Sequence, residues 1–178
     1  MARRFHSHTP AKIATVIHTS SATAVGGRAG SVKNSDKVID VKLSLPTGLG
    51  GSGVQKVRDL LVVLSFLLCC FILWFFKGTT TPEDLFAAGY AACFGGAAEL
   101  MAKNLKIPAT KISIQCDASV GRTDAKGLAL GVVLTGHFSG VTQAQADQIM
   151  NAAHQACPYS NATRDNIEVR LQSKLNKD

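Results

Sequence analysis

Apolar and polar residues alternate in several stretches of the chain, and this period of two predicts β-strands. The clearest stretch sets Ser, Gln, Asp and Ser between the apolar positions Ile112, Ile114, Cys116, Ala118 and Val120. Further strands are predicted at 12–20, 38–45, 128–138 and 167–171. In the second of these, Val41, Leu43 and Leu45 share one face, which indicates a half-buried antiparallel strand.

Two other segments carry the residues that begin helices. Thr81 is a candidate N-cap, Pro82 suits the first helical position, and Glu83 and Asp84 are acids in the first turn. The next four turns are almost wholly Ala, Gly, Leu, Phe and Tyr, so we expect this helix, running to about residue 103, to be surrounded by protein. A second helix is predicted from Thr142, which forms a capping-box pattern with Gln145. This order of elements predicts an α+β fold.

The length of 178 residues and the hydrophobic content of 46% suit one domain. We expect a flexible basic tail at 1–11 and a single domain at 12–178. Lys and Arg are scattered without a run of interleaved aromatics, so the net charge of +7 indicates a basic surface and no nucleic-acid partner. No acid precedes Asp36, as in mitochondrial presequences, so we expect a cytoplasmic protein with a mitochondrial location as the alternative. His6 and His8 have no other ligand type nearby, and we assign no metal site.

Two of the five cysteines lie in settings that suggest redox chemistry. Cys93 is inside the apolar helix, and Cys157 follows the second helix on the side of its apolar residues, directly before a proline. A free thiol with a pKa near ~8.5 is mostly protonated at neutral pH, and only the thiolate attacks an electrophile. Cys93 lies beyond the first helical turn, where the helix dipole acts, so we expect a side-chain cation to stabilise its anion.

Arg28, on the glycine-rich turn at 26–30, is the candidate cation. A buried Arg needs a carboxylate, for which Glu83 is the first candidate and Asp84 the alternative. Glu83 and Cys93 would be about 15 Å apart along one straight helix, at roughly 1.5 Å per residue. Either the helix bends, or Arg28 spans the gap, or Glu83 serves the site of a second subunit in a two-fold dimer.

Four motifs occur in one order along the chain: VGGRAGSV at 25–32, LSLPTGLGG at 43–51, TPEDLFAAGYAACF at 81–94 and CPYSNATR at 157–164. Together they resemble the signatures of the organic hydroperoxide resistance (Ohr) proteins of the OsmC-like superfamily. The resemblance covers nearly all of residues 12–171 except one insertion. It implies an intertwined homodimer, in which antiparallel sheets wrap around a buried central helix carrying Cys93, and a thiol peroxidase activity.

The resemblance also implies a role for each candidate residue. Cys93 would attack the peroxide, release an alcohol and become a sulfenic acid, which Cys157 would resolve as a Cys93–Cys157 disulfide. A dithiol, typically dihydrolipoamide on a lipoylated protein, would reduce that disulfide, with no bound cofactor. Arg28 would hold the thiolate and polarise the peroxide, and Glu83 would orient Arg28.

An apolar surround would select the substrate. Phe86, Tyr90 and Phe94 are the candidates for it, and they would favour alkyl or fatty-acid hydroperoxides over hydrogen peroxide. Aromatic residues on an apolar helix are at least as often plain core residues.

Residues 54–77 have no counterpart in these motifs, and their part at 60–76 is apolar. A single membrane span there would separate Arg28 from Cys93 by a layer ~30 Å thick, so the segment would have to leave and return on one side. Joining Gly53 to Gly78 restores an uninterrupted loop, and the codons implied by the segment fit a translated unspliced intron. Three interpretations follow: a peroxidase that tolerates a surface insertion, a catalytically impaired retained-intron isoform, or a membrane-associated OsmC-like protein that touches lipid only through 60–76.

Overall fold

A six-stranded β-sheet and three α-helices make up the part of the chain that the computed structural model describes, residues 13–44, 51, 81–125 and 127–176. The predicted tail at 1–11 and the insertion at 54–77 lie outside these residues. The order of strands in the sheet is β3-β2-β1-β4-β5-β6. The strands are β1 (Thr15–Val25), β2 (Ser31–Asn34), β3 (Asp40–Lys42), β4 (Lys111–Arg122), β5 (Leu128–Ser139) and β6 (Glu168–Leu175). The α+β class predicted from the sequence is confirmed.

The centre of the sheet follows the predicted alternation. In the antiparallel pair of β1 and β4, Ala22 lies opposite Cys116 and Ala24 lies opposite Ile114. All four are buried, because side chains two positions apart on a strand point to the same face. That face forms the floor of the hydrophobic core.

Two strands differ from the prediction. β6 pairs with β5 in parallel, whereas the other pairs are antiparallel. A helical crossover between β5 and β6 returns the chain to its starting end, which allows parallel pairing. β3 is a three-residue edge strand, and Val41 on it is 46% exposed, whereas Leu43, just after it, is half-buried and packs against the core, so only part of the expected half-buried face is formed. Leu45 lies outside the described residues.

The long helix α1 (Pro82–Asn104) packs on the core face of the sheet. Thr81 caps it: its hydroxyl accepts from the backbone N–H of Asp84 at 3.1 Å, and the Asp84 carboxylate accepts from the N–H of Thr81 at 3.0 Å. By length and hydropathy α1 could cross a membrane, but 61% of its most apolar window is buried within the chain. It therefore packs as a core helix, as its composition predicts.

Helix α2 (Gln143–Ala156) begins with the predicted capping box between Thr142 and Gln145. Its buried side is formed by Ala146, Ile149, Met150 and Ala153. The short helix α3 (Pro158–Thr163) follows directly, and Cys157 is the residue between the two helices. Since Pro158 cannot donate a backbone hydrogen bond, α2 ends here, and the break fixes Cys157 against α1.

Candidate active site

The glycine turn between β1 and β2 lies directly against α1. Gly26 and Gly27 have φ of 75° and 48°, values that favour glycine. A Cβ on Gly27 would lie 2.6 Å from the backbone nitrogen of Gly96, so only glycine permits this approach. A Cβ on Gly96 would lie 3.2 Å from Cγ of Arg28, so the side chain of Arg28 runs across the bare helix backbone. The turn thereby directs Arg28 along α1 toward Cys93.

Three of the four predicted catalytic residues meet at one point. The Nη2 atom of Arg28 donates a hydrogen bond to Sγ of Cys93 over 2.8 Å. The thiol of Cys157 donates to the same sulfur over 3.5 Å. Cys93 is 4% exposed and Cys157 is fully buried, and both are free thiols. A shift of about 1.5 Å would bring the two sulfurs to the length of a disulfide, near 2.05 Å.

This surround favours the ionised form of Cys93. The hydrogen bond from the Cys157 thiol has the largest effect; burial opposes ionisation, whereas the backbone N–H of Tyr159 and the Arg28 guanidinium favour it. Together they lower the pKa of Cys93 to about 6. The hydrogen bond to Cys93 and burial raise the pKa of Cys157. At neutral pH these shifts favour a Cys93 thiolate that accepts a hydrogen bond from the Cys157 thiol.

Glu83, the fourth predicted residue, is not at this point. Helix α1 runs without interruption between Glu83 and Cys93, and no ion pair between Arg28 and Glu83 occurs among the described residues. The alternative carboxylate, Asp84, is buried in the helix cap. The role of Glu83, within its own chain or in the site of a second subunit, stays a prediction.

A cavity of about 200 Å³ opens beside Cys93. It is lined by Arg28, Leu43, Ser44, Gly89, Ala92, Cys93 and Tyr159. Gly89 precedes Ala92 by three positions and Cys93 by four, so it is the helical neighbour of both on the side of α1 that faces the cavity.

The predicted aromatic surround is placed differently. Tyr90 and Phe94 are fully buried in the core, and Phe86 is half-buried; none of the three lines the cavity. Their spacing of four residues places them on the neighbouring face of α1. Phe86 and Tyr90 instead support Tyr159, with ring centroids 6.5 Å and 5.7 Å from its ring.

Tyr159 is one of the lining residues that the sequence reasoning missed. Its side chain is 40% exposed at the cavity, and its backbone N–H favours the Cys93 thiolate. It belongs to the CPYSNATR motif, and this membership could have indicated it. Leu43 and Ser44 belong likewise to the LSLPTGLGG motif.

The remaining described cysteine is a core residue, as predicted. Cys116 is fully buried on β4, and burial raises its pKa to about 12. In the part of the chain that the structure describes, no group of three or more His, Cys, Asp or Glu side chains is placed to hold a metal ion.

Comparison with known proteins places this site in a family. A family model described as OsmC-like protein matches residues 76–172. The organic hydroperoxide resistance protein of Xanthomonas axonopodis pv. citri is 40% identical over 158 residues, which cover 88% of this chain and 94% of that protein. The solved structure of an organic hydroperoxide resistance protein OsmC from Legionella pneumophila is 37% identical, with a TM-score of 0.52 over 89% of this chain and 98% of that one. The structure of OhrB from Bacillus subtilis is 34% identical, with a TM-score of 0.52 over 89% and 99%. The chain therefore belongs to the OsmC-like family, and within it to the organic hydroperoxide resistance proteins.

Proposed function

We propose that this chain is a cysteine-based peroxidase that reduces organic hydroperoxides to alcohols. The observation that carries the proposal is the contact of the Arg28 guanidinium and the Cys157 thiol with one sulfur, that of Cys93. A thiolate with a pKa of about 6 is a nucleophile at neutral pH, and a partner thiol lies in contact with it. The names of the relatives, which describe resistance to organic hydroperoxides, support the same chemistry.

In the first step the Cys93 thiolate attacks one oxygen of the hydroperoxide. The O–O bond breaks, Cys93 becomes a sulfenic acid, and the alkoxide leaves and takes up a proton as the alcohol. Sulfur is oxidised by two electrons and the peroxide is reduced by two. The Arg28 guanidinium stabilises the anion before the attack and the charge that develops on the peroxide oxygen.

In the second step Cys157 attacks the Cys93 sulfenic acid. A disulfide forms, and the hydroxyl group leaves with the Cys157 proton as water. A dithiol then attacks the disulfide, both cysteines return as thiols, and the dithiol becomes its own disulfide. We propose dihydrolipoamide on a lipoylated protein as this dithiol. Cys93 lines the cavity and Cys157 does not, so the reductant attacks the Cys93 sulfur and Cys157 is the leaving group.

The cavity suits a substrate with one apolar group. Leu43, Ala92 and the ring of Tyr159 provide apolar walls, while Arg28 lies beside the reactive sulfur. An alkyl chain can contact these walls while its hydroperoxyl group reaches Cys93.

We also propose that the enzyme is a homodimer. Large apolar side chains are exposed on the described chain at Leu85 and Leu100 of α1 and at Val16 and Ile17 of β1. Exposed apolar groups on two adjoining elements are typical of a surface that another chain covers. A second copy would also be the source of the missing carboxylate, Glu83.

The proposal is tested by reacting the reduced full-length chain with cumene hydroperoxide and identifying the oxidised cysteines by mass spectrometry. We expect one alcohol per chain and a Cys93–Cys157 disulfide, with neither in Cys93→Ser. A chain that lacks residues 54–77 is the parallel sample. Activity in this shortened chain alone would identify the full-length chain as an impaired isoform, and inactivity of both would refute the peroxidase proposal.

A further inference from the structure

Three buried hydroxyl groups are hydrogen-bonded to one another in the core that also contains Cys157. The Tyr90 hydroxyl is 3.0 Å from Oγ of Ser160 and 3.2 Å from Oγ1 of Thr163. Thr163 in turn donates to the backbone carbonyl of Tyr159 over 2.9 Å. Tyr90 and Ser160 are fully buried, and Thr163 is 5% exposed. Buried hydroxyls are costly unless they are paired, and these three pair with one another and with the backbone carbonyls of Tyr159 and Ser160.

This hydroxyl cluster, defined as Tyr90, Ser160 and Thr163, ends beside the sulfur of Cys157. Cys157 is the N-cap of α3 and Ser160 is its third residue, the position whose N–H and side chain face the N-cap group. In the structure the Cys157 thiol donates to Cys93, while the N–H and the hydroxyl of Ser160 act as donors toward the Cys157 sulfur. Although the bond to Cys93 and burial raise the pKa of Cys157, the N–H and hydroxyl of Ser160 act to lower it.

The protons of the cluster have two arrangements. In one, Ser160 donates to Tyr90, Tyr90 donates to Thr163, and Thr163 donates to the Tyr159 carbonyl. In the other, Tyr90 donates to Ser160, and the Ser160 proton is free to turn toward Cys157. Either order is compatible with the observed distances, because each hydroxyl both donates and accepts.

We propose that Ser160 is a further catalytic residue, which donates a hydrogen bond to the Cys157 sulfur whenever that sulfur is anionic, with Tyr90 and Thr163 as its positioning residues. The inference rests on the peroxidase cycle proposed above. Cys157 carries negative charge twice in that cycle: as the nucleophile that attacks the sulfenic acid, and as the leaving group when the dithiol opens the disulfide. A buried sulfur has no water to stabilise that charge, so a donor that turns toward it accelerates both steps.

The test follows the two oxidation steps separately in the full-length chain. The reduced protein is mixed with cumene hydroperoxide, and the sulfenic acid is trapped with dimedone at successive times across a range of pH. Samples are the wild type, Ser160→Ala, Ser160→Thr, Tyr90→Phe and Asn161→Ala, the last an exposed position on the same short helix. A thermal melt of each variant reports on folding.

We expect Ser160→Ala to form the sulfenic acid at close to the wild-type rate and to convert it to disulfide about tenfold more slowly at pH 7, the effect of losing one hydrogen bond to a charged group. Its rate of disulfide formation should rise with pH along a curve displaced by roughly one unit to higher pH. Ser160→Thr restores much of the rate of disulfide formation. Tyr90→Phe slows disulfide formation less than Ser160→Ala does, with the same displacement of the pH curve, and Asn161→Ala matches the wild type.

Equal slowing of both steps in Ser160→Ala, with no displacement of the pH curve, would assign Ser160 a structural role and overturn the inference. If Ser160→Ala does not fold, an unchanged rate and pH curve in Tyr90→Phe would overturn it equally. Either result leaves the peroxidase proposal standing when the wild type forms its dimedone adduct. No adduct in the wild type and none in the chain that lacks residues 54–77 would refute the peroxidase cycle and, with it, this inference.

Discussion

The Arg28 guanidinium donates a hydrogen bond of 2.8 Å to the sulfur of Cys93, although the two residues are 65 positions apart. Two glycine contacts make this possible, because Gly27 touches the backbone of α1 and Arg28 passes over Gly96. Backbone packing thus holds the turn that carries this cation directly against α1.

Replacing this cation should slow the first oxidation step. We expect Arg28→Ala to lower the second-order rate constant with cumene hydroperoxide by about 10- to 100-fold, because both the thiolate and the developing oxyanion lose a charged donor. Arg28→Lys should recover part of the rate, since an ammonium keeps the charge but not the planar fork. Stopped-flow oxidation measures both, with Arg122→Ala at the exposed end of β4 as the matched control. A rate in Arg28→Ala within twofold of the wild type would contradict this role.

The Cys157 thiol has the largest effect on the pKa of Cys93, so its removal should move the pH dependence of reactivity. In the wild type, alkylation of Cys93 by iodoacetamide should rise with pH around a midpoint of about 6. In Cys157→Ala the midpoint should lie roughly one unit or more higher, because the thiolate has lost its strongest donor. Cys116→Ala is the control, as its buried thiol ionises only near pH 12. An unmoved midpoint in Cys157→Ala would leave Arg28 and Tyr159 as the sole source of the low pKa.

Much of this fold could be predicted from local patterns. The alternation that marks β4 and the caps at Thr81 and Thr142 depend only on neighbouring residues, and all three occur in the structure. The direction of β6 could not be predicted in the same way, because a period of two identifies a strand and its buried face but not its partner.

The same distinction, between features set by local sequence and features set by long-range packing, applies to the active site. Cys93, Cys157 and Arg28 lie in recognisable motifs, and the structure brings them together. Gly89 and Tyr159 line the cavity because of the way α3 crosses α1. The periodicity of the sequence does not predict that crossing. The sequence analysis assigned Tyr90 to the apolar substrate site and did not anticipate the hydrogen bonds of its hydroxyl. Those bonds join it to Ser160 and Thr163, which lie 70 and 73 positions away in the sequence.

Gly89 sets the width of the cavity. A Cβ at this position would lie 3.2 Å from the hydroxyl oxygen of Tyr159, so Gly89→Ala should push the half-exposed ring outward or narrow the cavity. We expect kcat/KM for cumene hydroperoxide to fall about tenfold, as for a misfit of one methyl group, and kcat/KM for hydrogen peroxide to change little. The helix itself should gain roughly 0.5–1 kcal/mol, since alanine favours helix over glycine. An equal fractional loss of kcat/KM with both peroxides would show that Gly89 does not select substrates by size.

Asp84 should make stability depend on acid pH. Burial opposes its ionisation, but the Thr81 N–H and the side chains of Ser20, Thr81 and Asn34 lower its pKa below the usual 3.8. A carboxyl with a depressed folded pKa stabilises the fold above its unfolded pKa, and this stabilisation is lost as the pH falls through the folded pKa. Asp84→Asn should therefore cost about 1 kcal/mol at neutral pH, as for a lost cap, and less in strong acid. Urea unfolding of both chains at neutral pH and near pH 2 measures this, and a pH-independent difference would exclude the carboxylate charge as the cause.

Glu83 should complete the site of the partner subunit. Within one chain it lies about 15 Å along α1 from Cys93, and Arg28 forms no ion pair with it among the described residues. We therefore expect chains that carry Glu83→Gln to be slow as homodimers, and chains that carry Cys93→Ser to be inactive. A mixed dimer of the two contains one intact site, because the Cys93→Ser chain supplies Glu83 to the cysteine of the other. Mixed dimers purified through two different affinity tags should recover about half of the wild-type rate per dimer. If the mixed dimer is as slow as the Glu83→Gln homodimer, Glu83 acts within its own chain, and the two-subunit site must be abandoned.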